Sequence, residues 1–126
     1  MSPAAALDIA GAPGAVVPGV VIISGTNNTY TGSTQIVRGI LKIGATDALP
    51  TGTTLDVGSS TTGDISEFDL NGFDQTLGSL ARSGAGTGGS FITNNGATAS
   101  TLTVNTASGV SSFTAASFRM VSRPWP

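Results

Sequence analysis

Short apolar-polar-apolar triplets set the rhythm of the chain. Leu41-Lys42-Ile43, Leu55-Asp56-Val57, Phe68-Asp69-Leu70 and Leu102-Thr103-Val104 share one shape. In an extended strand the outer two residues of a triplet point one way and the middle residue the other. The pattern predicts burial for Leu41, Ile43, Leu55, Val57, Phe68, Leu70, Leu77, Leu80, Leu102 and Val104. It predicts that Lys42, Asp56, Asp69 and Thr103 face solvent, so that Asp69→Asn should be nearly silent. The first three triplets begin at Leu41, Leu55 and Phe68, at nearly equal intervals. Phe91 and Ile92 continue the apolar set. No window places apolar residues at helical spacing between caps. The chain reads as all-β.

Turn chemistry falls between the triplets. Gly44, Pro50-Thr51-Gly52, Gly58 to Gly63, Asn71-Gly72, Gly84 to Gly89 and Asn94-Asn95-Gly96 suit positive φ or sharp reversal. Short strands at this regular spacing fit a β-solenoid, a barrel or a sandwich. The brevity of the triplets and the Thr, Ser, Asn and Gly filler favour a solenoid, in which stacked coils place like residues over like. Asn71-Gly72, flanked by Leu70 and Phe73, favours the antiparallel β-sandwich, because it is a type I′ hairpin signal.

Composition narrows the chemistry. The 126 residues are 39% hydrophobic and only 10% charged, with 18 glycines and a formal net charge of −2. Typical soluble domains are roughly 25% charged. Such a chain lacks the basic footprint of a nucleic-acid or anionic-membrane binder. There is no Cys and no His. Disulfides, thiol nucleophiles, Cys-based zinc sites and the commonest general base are thereby excluded. Lack of Cys is compatible with the cytosol and with export alike. Met1 to Ala15 has no basic n-region and reads as a poor signal peptide. The apolar run from Ala15 to Ile23, interrupted by Pro18 and Gly19, is far shorter than the roughly 20 residues of a membrane helix. It reads as a strand or as part of a first turn.

The stretch Gly25-Thr26-Asn27-Asn28-Thr29-Tyr30-Thr31-Gly32-Ser33-Thr34-Gln35-Ile36-Val37-Arg38-Gly39-Ile40-Leu41-Lys42-Ile43-Gly44 resembles the autotransporter-associated β-strand repeat, also called the passenger-associated transport repeat. The likeness continues through Leu49-Pro50, Thr54 to Val57 and Phe68-Asp69-Leu70-Asn71-Gly72-Phe73-Asp74-Gln75-Thr76-Leu77-Gly78-Ser79-Leu80, and fades over Ser90 to Val104. The resemblance implies a short right-handed parallel β-helix in a secreted bacterial passenger, carried through the outer membrane with a C-terminal barrel. It implies partners of two kinds: further β-helix repeats of the same or neighbouring chains, and a host surface or glycan. No barrel pattern is present in this sequence. By this reading residues 1–24 are an irregular N-terminal segment or partial coil, 25–104 the repeat segment, and 105–126 an atypical, poorly ordered tail. That tail, ending Arg123-Pro124-Trp125-Pro126, suggests a fragment or truncated frame.

Candidate sites each have a structural alternative. Asp56, Glu67, Asp69 and Asp74 could supply the paired carboxylates of sugar cleavage, but Asp56 and Asp69 occupy outward triplet positions. The same acids with Asn71 could hold calcium, although no EF-hand or nonapeptide loop is present. Gly84 to Gly89 contains Gly-x-Gly-x-x-Gly, yet strand-like Phe91-Ile92-Thr93 follows instead of the helix a dinucleotide loop requires. Asn27-Asn28-Thr29 forms a glycosylation sequon and reads as turn chemistry; Asn71 could join a stacked Asn ladder. Tyr30, Phe68, Phe73 and Phe91 could form a sugar-binding strip, but apolar periodicity assigns most of them to the core. No catalytic, cofactor-binding or metal-ligating residue is assigned, and the expected role is a non-catalytic stalk. Alternatives are an adhesion module and, more remotely, the remnant of a polysaccharide-degrading enzyme. Terminal coils without caps should expose apolar strand edges that invite association.

Overall fold

The computed structural model describes residues 7–10, 19–58, 65–82, 89–106, 109–115 and 119–122. These hold strands β1 (Leu7–Ala10), β2 (Val20–Ile23), β3 (Thr34–Ile43), β4 (Thr54–Val57), β5 (Ser66–Asp69), β6 (Gln75–Leu77), β7 (Ser79–Ala81), β8 (Ser90–Thr93), β9 (Ser100–Thr106), β10 (Gly109–Ala115) and β11 (Arg119–Ser122), and no helix. Chain order maps onto three faces visited in turn. The first face is β1, the front half of β3, β4 and β7, all parallel. The second is β2, the back half of β3, β5 and β8, again parallel. The third pairs β6 with β9. The chain is a parallel β-solenoid of about three turns.

β3 is long because it crosses two faces. Its corner is Gly39, at φ 103°, where an added Cβ would lie 3.0 Å from the Gly19 carbonyl oxygen. A side chain there would be strained and crowded at once. The register stacks like on like: Leu41 beside Phe68, Phe68 beside Ile92, and Leu77 beside Val104. The triplets at Leu41 and Phe68 therefore lie on the same face in successive coils, while the triplet at Leu55 lies on the face between. Two such intervals make one coil: the first leads from the second face past the third to the first, and the second returns to the second face.

The core follows the triplet pattern closely. Leu41, Ile43, Leu55, Val57, Phe68, Leu70, Leu77, Leu102 and Val104 are buried, joined by Ile36, Ala48, Leu49 and Ile92. Each large apolar side chain so enclosed contributes about 1.5–3 kcal/mol. Two expectations need correction. Leu80 is only half-buried, packed against the core from β7, the last strand on its face among the described residues. Asp69, expected in solvent, is 1% exposed. It does lie opposite Phe68 in strand parity and beside Lys42 in register. Residues from the next coil cover it.

Asn71-Gly72 forms the turn its sequence announces. Both residues have positive φ, 52° and 84°, and the Phe73 N–H donates to the Leu70 carbonyl at 2.9 Å. That is type I′ geometry. It joins β5 to β6, which lie on different faces, so it makes a corner of the coil and not a hairpin. The sandwich reading, which rested on this turn, is thereby set aside.

At the ends, β1 and β2 lie parallel to β3 and form a coil from the N-terminal segment. Where an atypical tail was expected, β10 runs antiparallel along β9 and β11 antiparallel along β8.

Candidate functional site

The densest polar cluster lies on the outer side of the second face, where Lys42, Asp69 and Thr93 stand side by side in three consecutive coils. Asp69 Oδ1 accepts the backbone N–H groups of Asn71, at 2.9 Å, and of Asn95, at 3.0 Å. Asp69 Oδ2 accepts from Asn95 Nδ2 at 3.3 Å and lies 3.6 Å from Lys42 Nζ. Two residues earlier on the same strand, Glu67 Oε2 accepts from Thr93 Oγ1 at 3.0 Å and from Asn95 Nδ2 at 3.4 Å. Asn95 thus bridges the two acids. Every described partner of Asp69 is a donor or a cation, so both oxygens of this buried carboxylate are satisfied.

The four candidate carboxylates do not form one site. Glu67 and Asp69 share the second face, Asp56 sits on β4 of the first, and Asp74 sits at the third. Asp74 is exposed and its Oδ1 accepts the Thr101 N–H at 2.8 Å. Asp47, which the sequence reading passed over, has φ 52° and does the same one coil earlier, accepting the Thr76 N–H at 2.8 Å. Its own N–H donates to the Asp74 carbonyl at 2.9 Å. Among the described residues no group of three or more acids is placed to hold a metal ion. A calcium ion at Asp69 would also have to displace the Lys42 ammonium.

Amides carry the rest of the stitching. Gln75 points inward, is 1% exposed, and clasps Leu49 of the preceding coil: Oε1 accepts the Leu49 N–H at 3.1 Å and Nε2 donates to the Leu49 carbonyl at 3.0 Å. Asn71 Nδ2 donates to the Ile43 carbonyl at 3.1 Å. Asn94 Oδ1 accepts the N–H groups of Gly72, at 2.9 Å, and Gly96, at 3.1 Å. Asn71 and Asn94 therefore reach the main chain of the adjacent coil, in place of the stacked Asn ladder considered from sequence. Asn28, in the sequon, donates to the Gly25 carbonyl at 3.2 Å, the local turn bond expected of it, and also to the distant Ala48 carbonyl at 2.7 Å, which the sequence did not announce.

The aromatic residues are dispersed. Phe68 is in the core and Phe73 packs against its edge. Phe91 takes the outward position beside Glu67, a departure from its place in the apolar set, while its neighbour Ile92 turns inward. Tyr30 is half-buried, and its hydroxyl bonds to Thr34 Oγ1, which bonds in turn to Thr53 Oγ1 at 2.9 Å. Burial pushes the Tyr30 phenol above its ordinary value, with the Thr34 and Thr53 hydroxyls opposing. Tyr30, Asn28, Thr31, Pro50 and Thr53 line an open groove of about 430 Å³. Gly84 to Gly88 of the glycine-rich motif lie outside the described residues, as do residues 1–6, 116–118 and 123–126. No described helix is long and apolar enough to cross a membrane.

The sequence pattern pointed to Asp69 and Asn71 but missed Lys42, Asp47, Gln75, Asn94 and Asn95 as partners. Their signal was present only as a recurrence, Asp47 and Asp74 holding equivalent places in successive coils. No family model, curated protein or solved structure matches the chain.

Proposed function

We propose that the chain is a non-catalytic structural segment, a rigid β-helical spacer of a secreted or surface-exposed bacterial passenger. The observation that supports this reading is where the polar side chains direct their bonds. Asp47, Asp69, Asp74, Asn71, Asn94 and Gln75 each bond main-chain groups of a neighbouring coil. A carboxylate whose oxygens are taken up by main-chain N–H groups is not directed at a substrate's proton, and general acid-base work requires that reach. Such bonds instead resist shear between coils, which is what a spacer requires. The resemblance of residues 25–80 to passenger repeats supplies the surface location and the neighbouring repeats as partners.

The test is a panel of polysaccharides incubated with the purified chain, alongside thermal melts with and without a chelator. The expected result is no bond cleavage and an unchanged melting temperature. Cleavage abolished by Asp69→Asn, or a melting temperature that falls on chelation as mass action requires for a bound ion, would overturn the proposal. The Tyr30 groove favours a second reading, adhesion to a neutral glycan, because it sets one aromatic ring among hydroxyl and amide groups. Glycan-array binding lost in Tyr30→Ala would establish that reading.

A further inference from the structure

Two Asn-Gly steps meet at one corner of the solenoid. Asn71-Gly72 joins β5 to β6, and Asn95-Gly96 lies one coil later, between β8 and β9. The two turns are stacked so closely that a Cβ on Gly96 would fall 2.3 Å from the Gly72 nitrogen. A Cβ on Gly72, at φ 84°, would fall 2.8 Å from Thr98 Oγ1. Neither glycine can carry a side chain without strain or displacement of its neighbour.

Asn followed by Gly is chemically labile, because glycine has no side chain to obstruct ring closure. The glycine nitrogen, once its proton has passed to a base in solvent, attacks the Asn side-chain carbonyl carbon. The new C–N bond closes a five-membered imide, while the side-chain nitrogen takes up a proton and leaves as ammonia. Water then adds to one imide carbonyl and opens the ring to aspartate or isoaspartate. The net change is one water consumed, one ammonia released and a carboxylate in place of a neutral amide.

A single atom withholds both nucleophiles. Asn94 Oδ1 accepts the Gly72 N–H at 2.9 Å and the Gly96 N–H at 3.1 Å. Asn94 is fully buried, and its Nδ2 donates to the Thr98 carbonyl at 3.0 Å, so its oxygen is the end that faces the glycines. The side chains open to attack are tethered as well. Asn71 Nδ2 is held by the Ile43 carbonyl, and Asn95 Nδ2 by Asp69, Glu67 and Thr93. An N–H bonded to a buried acceptor is neither open to base nor free to turn toward the side chain.

We propose that Asn71 and Asn95 are latent sites of self-deamidation, held closed by Asn94 and released together when the corner between these two coils opens. At Asn95 the reaction also locks the open state. Its Nδ2 donates to both Glu67 and Asp69, and the product puts a third carboxylate where that donor stood. The inference is independent of the spacer reading.

Tryptic mass spectrometry tests it, because cleavage after Lys42, Arg82 and Arg119 places Asn71 and Asn95 on different peptides. The purified chain is incubated in mildly alkaline buffer, folded or in urea, and read against an unincubated digest. Both sites should deamidate in urea, and at least about tenfold more slowly in the folded chain; equal rates overturn the proposal. Asn94→Ala should speed both sites at least about tenfold, whereas Asn94→Asp, which keeps an acceptor oxygen, should stay protected. Leu55→Ala, a core change on another face, is compared with Asn94→Ala at equal stability and should be the slower at both sites. Equal acceleration in the two variants would mean that global folding alone protects the corner, and the proposal falls. Amide exchange of the wild-type chain needs no variant: the Gly72 and Gly96 N–H groups, although in turns, should exchange slowly, and exchange at the rate of free amides overturns the guard. Asn95→Asp, which carries the charge of the product, should unfold at lower urea than wild type; equal stability overturns the locking step.

Discussion

Replacing Asp69 by Asn tests whether the polar seam holds the coils together. The triplet pattern alone makes this change nearly silent, because surface substitutions usually stay within about 0.5 kcal/mol. The structure reverses that expectation. If the Asn oxygen takes the place of Oδ1, both backbone bonds survive, from Asn71 at 2.9 Å and Asn95 at 3.0 Å, but they lose their ionic strengthening. The new amide nitrogen then stands where Oδ2 was, facing Asn95 Nδ2 and Lys42 Nζ, which are both donors. An unpaired donor at a buried position costs about 1–3 kcal/mol. The lost ion pair adds at most about 1 kcal/mol, since Lys42 is partly in solvent and screened. The sum is about 1–4 kcal/mol, overlapping the roughly 2–5 kcal/mol expected for Leu70→Ala one residue along. Urea unfolding followed by circular dichroism measures both variants against wild type. A double-mutant cycle with Asn95→Ala should show coupling, because the two side chains share bonds. An Asp69→Asn variant as stable as wild type, within the scatter of an ordinary surface substitution, would refute the seam as a stabilising element.

Two further outcomes follow from the same geometry. Gln75→Leu keeps the side-chain bulk but strands the Leu49 N–H and carbonyl in the core, and should cost about 2–6 kcal/mol by denaturant unfolding at about 1–3 kcal/mol per unsatisfied group. Tyr30 is the only tyrosine, so its ionisation can be followed by tyrosinate absorbance. Its folded-state value is raised above 10.0, chiefly by burial, so the native state holds its proton longer than the unfolded state. Stability from this group should be constant below pH about 10 and fall as pH rises from there through the folded-state value; Tyr30→Phe should remove that alkaline loss, and an absorbance midpoint below 10.0 would contradict the burial.

Strand parity was legible in the sequence because alternation is a local property. Leu41, Leu55, Phe68 and Leu102 turn inward as their triplets require. The regular step from one triplet to the next was legible too, but its meaning was not. Whether that step is a coil or a fraction of one depends on which face each triplet joins, and this is fixed by corners such as Gly39. The exposure of Asp69 was illegible for a similar reason. Parity sets the side of the strand, while burial depends on what lies over that side. Here the cover is Asn95, which the register of β5 with β8 brings alongside from a distant part of the chain. Asn71-Gly72 shows the converse: the local turn type was correct, and only the identity of the strands it joins distinguished a corner from a hairpin.

The staples also account for a tolerance in the architecture. On the third face, residues 44–53 form no strand, although Ala48 and Leu49 are buried there. A coil missing a strand leaves main-chain groups unpaired in the core, at a cost that would normally forbid it. The next coil supplies the missing partners: the Gln75 side chain to both polar groups of Leu49, and the Asp74 carbonyl to the Asp47 N–H. The Asp47 carboxylate in turn accepts the Thr76 N–H. Asp74 and Gln75 belong to the block Leu70-Asn71-Gly72-Phe73-Asp74-Gln75-Thr76. Its residues can be understood without a ligand: Asn71 and Gly72 make the corner, Phe73 closes the core edge, and Asp74 and Gln75 pair a neighbouring coil that has no strand of its own. A solenoid built this way need not keep equal coil lengths, because a side-chain clasp replaces strand pairing wherever the chain between corners is irregular.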